Sequence, residues 1–272
     1  CYIESSPKND SLVYLSSDEV KTFMDEMVLE KYPVELVALT GGEPFLNPDI
    51  LSILENIMAK GFKVLVLTNA YRVLDRYQSK ILALHIKFPG LLHMRVSLDH
   101  YTKTAHEEQR GEKTFDRTLK SIKWLYDNNF NLSIAGRSLT GETAEDSLTG
   151  FQGLLENNEV KLKLALNDNI VIFPEMIEDE NVPEITVDCW GILDKSPDDQ
   201  MCASERMIVK RKGEAAPVVL PCTLLAYDKQ FELGSTLKES EQSVYLNHPY
   251  CSKFCVLGCL LYTSDAADEE DS

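Results

Sequence analysis

The chain has 272 residues, of which 44% are hydrophobic, so it can bury a sizeable core in one barrel-sized domain or two smaller ones. Its formal net charge of −17 argues against non-specific nucleic-acid binding, because phosphates need basic partners. The sequence contains neither an apolar run of membrane-span length nor the pattern of a secretory signal peptide. We therefore predict a cytoplasmic protein that has no nucleic-acid or membrane partner.

Helical and extended patterns alternate along the first 170 residues. Ser16 to Glu19 have the composition of a helix start, with an N-cap and an acidic first turn. Periodicity predicts helices at about 16–32, 47–60, 72–87, 114–128 and 143–157, and apolar runs predict strands at about 34–39, 62–67, 93–98, 130–135 and 160–166. This alternation predicts a parallel sheet with helical crossovers, in an α/β barrel or an open sheet.

Polar and glycine residues follow four of the predicted strands. They are Gly41-Gly42-Glu43-Pro44, Thr68-Asn69, Ser97 with Asp99, and Gly136-Arg137. A glycine pair lets a ligand approach the backbone, and a carboxylate beside it can hold a cation. A single turn of this kind is most often only a turn. Four such strand ends indicate a shared ligand site, because barrel active sites are built at the carboxyl ends of the strands.

The regular alternation ends near residue 170, and a cysteine-rich module with short strands at 207–210 and 217–220 comes after it. Without a secretory signal, clustered cysteines indicate metal ligation or redox chemistry rather than disulfides. We interpret Cys189 and its neighbour Trp190 as ordinary strand residues, with Cys189 a buried thiol. The histidines His100, His106 and His248 are interpreted as surface or hydrogen-bonding residues rather than catalytic acids or bases.

Several of these segments together resemble the radical S-adenosylmethionine (SAM) superfamily. Cys1-Tyr2 resembles the end of that family's C-x-x-x-C-x-x-C motif, and Gly41-Gly42-Glu43-Pro44 matches its glycine-glycine-glutamate-proline turn. The segment 95–99 resembles the family's fourth strand. The segments 106–111 and 114–118 resemble the region after that strand in the peptide-modifying branch.

The resemblance covers about residues 1–170 and implies a TIM-like (β/α)6 barrel that holds a [4Fe-4S] cluster and SAM. One electron, from a donor such as a flavodoxin or ferredoxin, would cleave SAM to methionine and a 5′-deoxyadenosyl radical. That radical would abstract hydrogen from a peptide or small-molecule substrate. The cofactor supplies the reactive radical, while the protein positions the cofactor and excludes water.

The resemblance also implies which residues form this site. Cys1 would be a cluster ligand followed by the aromatic Tyr2, and Gly41, Gly42 and Glu43 would hold the SAM amino group. Arg110 or Arg137 is the candidate for the SAM carboxylate, because arginine suits bidentate recognition. The remaining cofactor-binding candidates are Pro44, Thr68, Asn69, and the ribose-side pair Ser97 and Asp99. Asp99 could instead be a helix N-cap.

The second module resembles the SPASM or twitch extension found after many such barrels. The residues that carry this resemblance are Cys202, Pro221-Cys222-Thr223 and the segment 248–255. In that family four cysteines hold an auxiliary iron–sulfur cluster, and the corresponding set is Cys202, Cys222, Cys251 and Cys255. A structural zinc site has the same four-thiolate chemistry and is the alternative.

Both ends of the sequence depart from the family's pattern. Only Cys1 of the three cluster cysteines is present and the family's first strand is missing, so the chain as written is expected not to cleave SAM. Residues 259–272 resemble a translated sequencing adapter, so Cys259 is not counted as a ligand. A native, disordered acidic tail is the alternative. These interpretations divide the chain into a partial barrel at 1–170, a cluster-binding module at 171–258 and an artefactual tail at 259–272.

Three functions are consistent with these features. The leading hypothesis is a radical SAM enzyme that acts on a peptide or small molecule. The second is a non-catalytic, peptide-binding barrel with a structural zinc module. The third, an ordinary barrel enzyme that binds phosphate at the glycine turn, leaves Cys1 and the cysteine-rich module unexplained.

Overall fold

A computed structural model describes residues 9–139, 141–173 and 185–256, without the side chain of Lys253. Cys1, Tyr2, Cys259 and the tail at 259–272 lie outside the described residues. The chain divides into two compact units. One comprises residues 16–175, and the other combines residues 1–15 with residues 176–272.

Helices and strands alternate along most of the described chain. In chain order they are β1 (Leu12–Val13), α1 (Ser17–Leu29), β2 (Leu36–Leu39), α2 (Ile50–Ala59), β3 (Lys63–Thr68), α3 (Arg72–Asp75), α4 (Gln78–Lys87), β4 (Leu92–Ser97), α5 (Lys103–Arg110), α6 (Phe115–Asp127), β5 (Asn131–Arg137), α7 (Ala144–Asn157), β6 (Ile170–Phe173), α8 (Cys189–Leu193), α9 (Met201–Ser204), β7 (Met207–Arg211) and β8 (Val218–Leu220). Short 3₁₀ helices and a π-helix at Cys251–Val256 complete the described structure.

The first unit contains a five-stranded parallel sheet in the order β2-β3-β4-β5-β6. Every neighbouring pair is parallel, with Val66 opposite Met94 and Val96 opposite Ile134. These four side chains are fully buried and lie on one face, because side chains alternate along a strand. The predicted α/β fold with a parallel sheet is confirmed.

Helix α2 shows how apolar periodicity builds this core. Its buried residues are Ile50, Ile53, Leu54, Ile57 and Met58, which recur at helical spacing. Burying one such side chain contributes about 1.5–3 kcal/mol. Helix α1 begins as predicted, because Ser16 and Glu19 form a capping box.

The strand predicted at 160–166 is wrong, and the fifth strand of this sheet is Ile170–Phe173. Side-chain amides bind the backbone groups that a neighbouring strand would need. Gln152 Oε1 accepts from Leu164 N at 2.8 Å, and Asn169 Oδ1 accepts from Ala165 N at 2.8 Å. Local bonds of this kind compete with sheet formation.

Two helices also differ from the prediction. The helix predicted at 72–87 is interrupted after Asp75 and resumes at Gln78. Helix α5 was not predicted, because only Ala105 and His106 are buried in it and its apolar periodicity is therefore weak. Its C-terminal Gly111 has φ +91°, a conformation that suits glycine at a helix end.

The second unit contains an antiparallel sheet in the order β1-β7-β8. Strand β1 lies at one edge of this sheet, with Leu12 opposite Arg211. Cys189 and Trp190 lie in helix α8, so the prediction of strand residues there is wrong. Thr186 O accepts from Cys189 N at 3.0 Å, a local turn bond that short-range periodicity does not reveal. Among the described residues, no helix combines the length and apolar character needed to cross a membrane.

Candidate functional site

The glycine turn after β2 leaves its backbone open to a ligand. Gly41 and Gly42 are exposed, and Gly41 has φ +135°, which L side chains rarely adopt. A Cβ placed on Gly41 would meet no atom within 4 Å. The next two residues, Glu43 and Pro44, are buried. An exposed backbone therefore lies directly beside a buried carboxylate.

Glu43 is held by the end of the neighbouring strand. Its Oε1 accepts from Thr68 Oγ1 at 2.9 Å and from Phe45 N at 3.1 Å, and its Oε2 accepts from Asn69 N at 2.8 Å. The predicted site residues Glu43, Thr68 and Asn69 are thus brought together. Burial raises the pKa of the Glu43 carboxyl, while these hydrogen bonds and the charge of Arg110 act in the opposite direction.

Asp99 forms a second cluster at the end of β4. Its carboxylate accepts from Arg110 Nε at 2.8 Å and from Arg110 Nη2 at 2.9 Å, a bidentate pair. Arg137 Nε lies 3.9 Å from Asp99 Oδ1, and Arg137 N donates to Asp99 O at 2.7 Å. The sequence pattern predicted Asp99 and Arg137 at one edge of the sheet, whereas the family resemblance supplied Arg110 as a candidate for the SAM carboxylate. The structure brings all three residues together.

Ser97 lies level with Ala135 and is half-buried. Within the described residues, no side-chain hydrogen bond joins Ser97 to either cluster. Cys1 and Tyr2 cannot be related to the site, because they lie outside the described residues.

Two histidines near Asp99 are buried, hydrogen-bonded side chains, in agreement with the hydrogen-bonding role predicted for them. His106 Nδ1 accepts from Asp99 N at 3.1 Å. His100 Nε2 lies 3.2 Å from both carboxylate oxygens of Glu142, and Tyr101 Oη donates to Glu142 Oε1 at 2.6 Å. Sequence reasoning missed the positional role of His106 and Glu142. The four-residue spacing from His106 to Arg110 was the available signal for the first of them.

The arrangement suits a zwitterionic ligand. Glu43 and the backbone carbonyl groups of the exposed residues Gly41 and Gly42 can accept hydrogen bonds from an ammonium group. The guanidinium groups of Arg110 and Arg137 supply positive charge for a carboxylate. Glu43, Asp99 and Arg137 lie at or just after the carboxyl ends of parallel strands, so they share one edge of the sheet. Arg110, at the end of α5, reaches the same edge through its bidentate pair with Asp99.

The second unit brings four predicted cysteines together. Cys202, Cys222, Cys251 and Cys255 line one pocket, with apolar neighbours such as Leu225. Burial and the neighbouring thiols raise the pKa of Cys222 to about 11 and that of Cys255 to about 12. The donor set matches iron–sulfur or zinc chemistry. In the described part of the chain, however, no three His, Cys, Asp or Glu side chains are close enough to hold a metal ion.

Cys189 does not line this pocket. Its Sγ accepts from Thr186 N at 3.4 Å, and the side chain is only partly buried, although a buried thiol was predicted. The structure therefore separates Cys189 from the four cysteines that were predicted as ligands.

Comparison with known proteins identifies the family. Residues 1–148 match the sequence model of the Radical SAM superfamily. The chain is 32% identical over 143 residues to the antilisterial bacteriocin subtilosin biosynthesis protein AlbA of Bacillus subtilis (strain 168), over 50% of this chain and 29% of that protein. It is 30% identical over 130 residues to the AdoMet-dependent heme synthase of Methanosarcina barkeri, over 46% of this chain and 35% of that protein. The chain thus spans about a third of the length of these two relatives.

The fold is similar to that of Streptococcus suis SuiB in its crystal structure with S-adenosylmethionine. The TM-score is 0.54 at 13% identity, over 84% of this chain and 58% of that chain. This coverage extends beyond residues 1–148, so the likeness in fold includes part of the cysteine-rich unit and supports the predicted SPASM-like module. With a family match that spans more than half of the sequence and a parallel α/β fold of the expected kind, the chain belongs to the radical SAM superfamily.

Proposed function

We propose that this chain is part of an enzyme that cleaves SAM reductively and uses the resulting radical to abstract hydrogen from a peptide. The main observation in support of this proposal is that the buried Glu43 carboxylate lies beside the exposed glycine turn. When bound, the [4Fe-4S] cluster and SAM would together supply the 5′-deoxyadenosyl radical. The protein's own residues would bind and orient SAM and exclude water.

Glu43 is assigned to the SAM amino group, together with the backbone carbonyls of Gly41 and Gly42. Burial raises the pKa of the Glu43 carboxyl, which indicates that its charge is incompletely compensated. The ammonium group of a ligand would supply a compensating charge at this point. Thr68 and Asn69 hold the carboxylate in place through their hydrogen bonds.

Arg137 is assigned to the SAM carboxylate. Both Nε and Nη2 of Arg110 already bind the Asp99 carboxylate, so the Nε–Nη2 edge of its guanidinium is occupied. Asp99 and Ser97 remain the proposed contacts on the ribose side. Cys1 would bind the cluster, followed by the aromatic Tyr2.

A peptide is the proposed substrate, because the relative AlbA is named for the biosynthesis of the bacteriocin subtilosin. A small-molecule substrate is the alternative, supported by the name of the heme synthase. The required electron would come from a donor such as a flavodoxin or ferredoxin. We also propose that Cys202, Cys222, Cys251 and Cys255 hold an auxiliary [4Fe-4S] cluster, with zinc as the alternative, since all four line one pocket. Binding of either group would have to draw these thiols closer together than they lie in this structure.

The experiment uses the full reading frame, reconstituted anaerobically with iron and sulfide. SAM binding is measured by equilibrium dialysis, and 5′-deoxyadenosine is measured after reduction. We expect Glu43→Gln to weaken SAM binding at least tenfold, because it removes the charge opposite the ammonium group. The matched control is Glu30→Gln, which makes the same charge change at an exposed position.

Two results would count against these assignments. If the Glu43 and Glu30 variants bind SAM with equal affinity, Glu43 does not contribute to SAM binding. A reconstituted protein that binds zinc, is colourless and releases no 5′-deoxyadenosine would favour the non-catalytic, peptide-binding barrel.

A further inference from the structure

Helix α5 contacts Asp99 at two points that are one helical turn apart. His106 Nδ1 accepts the backbone N–H of Asp99 at 3.1 Å. Arg110 binds the carboxylate of the same residue through Nε at 2.8 Å and Nη2 at 2.9 Å. Residues four apart share one face of a helix, so a single face of α5 fixes both the backbone and the side chain of Asp99.

The polar groups of Asp99 are all engaged. Its N–H donates to His106, its carbonyl accepts from Arg137 N at 2.7 Å, and its carboxylate is bound by Arg110. Asp99 is also only 5% exposed. A residue with three fixed polar groups presents its carboxylate in one orientation, which is the condition for precise ligand contacts.

His106 fulfils this role at a cost to its own hydrogen bonding. Because Nδ1 accepts a proton donor, the neutral ring carries its hydrogen on Nε2. That Nε2 is buried and has no hydrogen-bond partner among the described residues. The ring is fully buried against Phe115, with centroids 5.5 Å apart. Burial lowers the pKa of His106 to about 4, so the ring is neutral at physiological pH and Nδ1 remains an acceptor.

An apolar side chain of similar size would pack in this position without an unpaired donor. The presence of a histidine is therefore not explained by packing alone, since an unsatisfied buried donor is unfavourable. The contact that histidine adds is the bond from Asp99 N to its Nδ1.

We propose that His106 and Arg110 form a two-point clamp on Asp99, in which both are positioning residues that act on SAM binding through Asp99. The SAM part of this inference rests on the proposed function. The clamp itself concerns only side chains of this chain. Arg110 is accordingly removed from the candidates for direct contact with the SAM carboxylate.

The first test replaces His106 with Asn, Gln and Leu in the full reconstituted protein and measures SAM affinity. Asparagine places its carbonyl near the position of Nδ1, whereas glutamine places it near Nε2. We expect His106→Gln and His106→Leu to weaken SAM binding about fivefold, the equivalent of one ordinary hydrogen bond, and His106→Asn to recover most of that loss. A role in packing alone predicts the opposite order, with His106→Leu nearest to the wild type.

The second test is a double-mutant cycle with Arg110→Ala and Asp99→Ala, again read out as SAM affinity. If Arg110 acts through Asp99, its replacement weakens binding in the wild type and changes it little when Asp99 is already alanine. An equal loss in both backgrounds would mean that Arg110 contacts SAM itself, and it would overturn this assignment.

A third measurement does not depend on SAM. Nitrogen-15 NMR of the histidine rings should show His106 in the Nε2–H form down to about pH 4. The His106 signal is the one that is missing from the spectrum of His106→Asn. Amide exchange at Asp99 should accelerate in His106→Leu and remain slow in His106→Asn. An Nδ1–H tautomer or unchanged exchange would disprove the clamp. If the reconstituted protein instead fails to bind SAM while these NMR results hold, the proposed function fails and the clamp stands.

Discussion

Thr68 donates its hydroxyl proton to the Glu43 carboxylate, with Oγ1 2.9 Å from Oε1 and 3.0 Å from Oε2. Thr68 is the last residue of β3, Glu43 lies in the turn that follows the neighbouring parallel strand β2, and both residues are buried. This contact links the end of β3 to the glycine turn after β2, so it determines where the carboxylate proposed to bind the SAM amino group lies.

Replacing Thr68 with valine should destabilise the protein by about 1–3 kcal/mol, because a buried carboxylate loses a donor while the shape of the side chain is kept. The free energy of unfolding from urea titrations measures this. Thr149→Val is the matched control, because Thr149 Oγ1 donates to a backbone carbonyl on an exposed helix face. Equal effects of the two substitutions would show that the Thr68–Glu43 contact is energetically unimportant.

The stability of the protein should depend on the ionisation of Glu43. Burial raises its pKa in the folded state above the ordinary value of 4.5, so folding favours the protonated form. Folding stability should therefore increase as pH falls through the raised pKa toward 4.5, and it should be lower above that range. The measurement is the difference in unfolding free energy between the wild type and Glu43→Gln at several pH values. If the wild type instead loses stability relative to Glu43→Gln as pH falls, the folded state stabilises the charged form of the carboxylate.

Gly136 at the end of β5 should not tolerate alanine. A Cβ at this position would lie 2.5 Å from Phe151 Cζ and 2.7 Å from Cε2, and Phe151 is fully buried. Overpacking of this kind costs about 1–3 kcal/mol. Gly153→Ala in helix α7 is the control, since no atom lies within 4 Å of its Cβ position, and it should stabilise by about 0.5–1 kcal/mol. Thermal unfolding should therefore shift in opposite directions, and a neutral Gly136→Ala variant would contradict the packing of Phe151.

The cysteine-rich unit offers a paired test of metal binding. Cys222→Ser removes one of the four thiols that line the pocket, whereas Cys189→Ser removes a thiol that does not line it. After reconstitution, iron and zinc per chain should fall strongly in the first variant and stay at the wild-type level in the second. Similar metal contents in the two variants would exclude the four-cysteine site. The ratio of iron to zinc in the wild type separates the cluster from the zinc alternative.

Much of the fold could be predicted because the relevant signals are local. Helix α2 follows from the spacing of Ile50, Leu54 and Ile57, and helix α1 begins at its capping box. The fifth strand could not be placed from the sequence, because the apolar residues near 160–166 have the pattern of a strand. In the folded chain, the side-chain amides of Gln152 and Asn169 bind the backbone of that segment instead. Helix α5 was missed for a related reason, since the face that it turns toward Asp99 carries the polar residues His106 and Arg110 rather than apolar ones.

By itself, the sequence determined which chemical groups are available: the glycine turn with Glu43, the polar residues at four strand ends, and the cysteines of the second module. These signals lie within a few consecutive residues, where backbone conformation and side-chain periodicity are encoded. Only the tertiary structure determined which of these side chains contact one another. Glu43 meets Thr68 across 25 positions of sequence, and Asp99 is held by His106 and Arg110 from a helix without a clear apolar pattern. The register of parallel strands and the docking of α5 set these contacts, and both depend on packing between elements rather than on any local sequence preference.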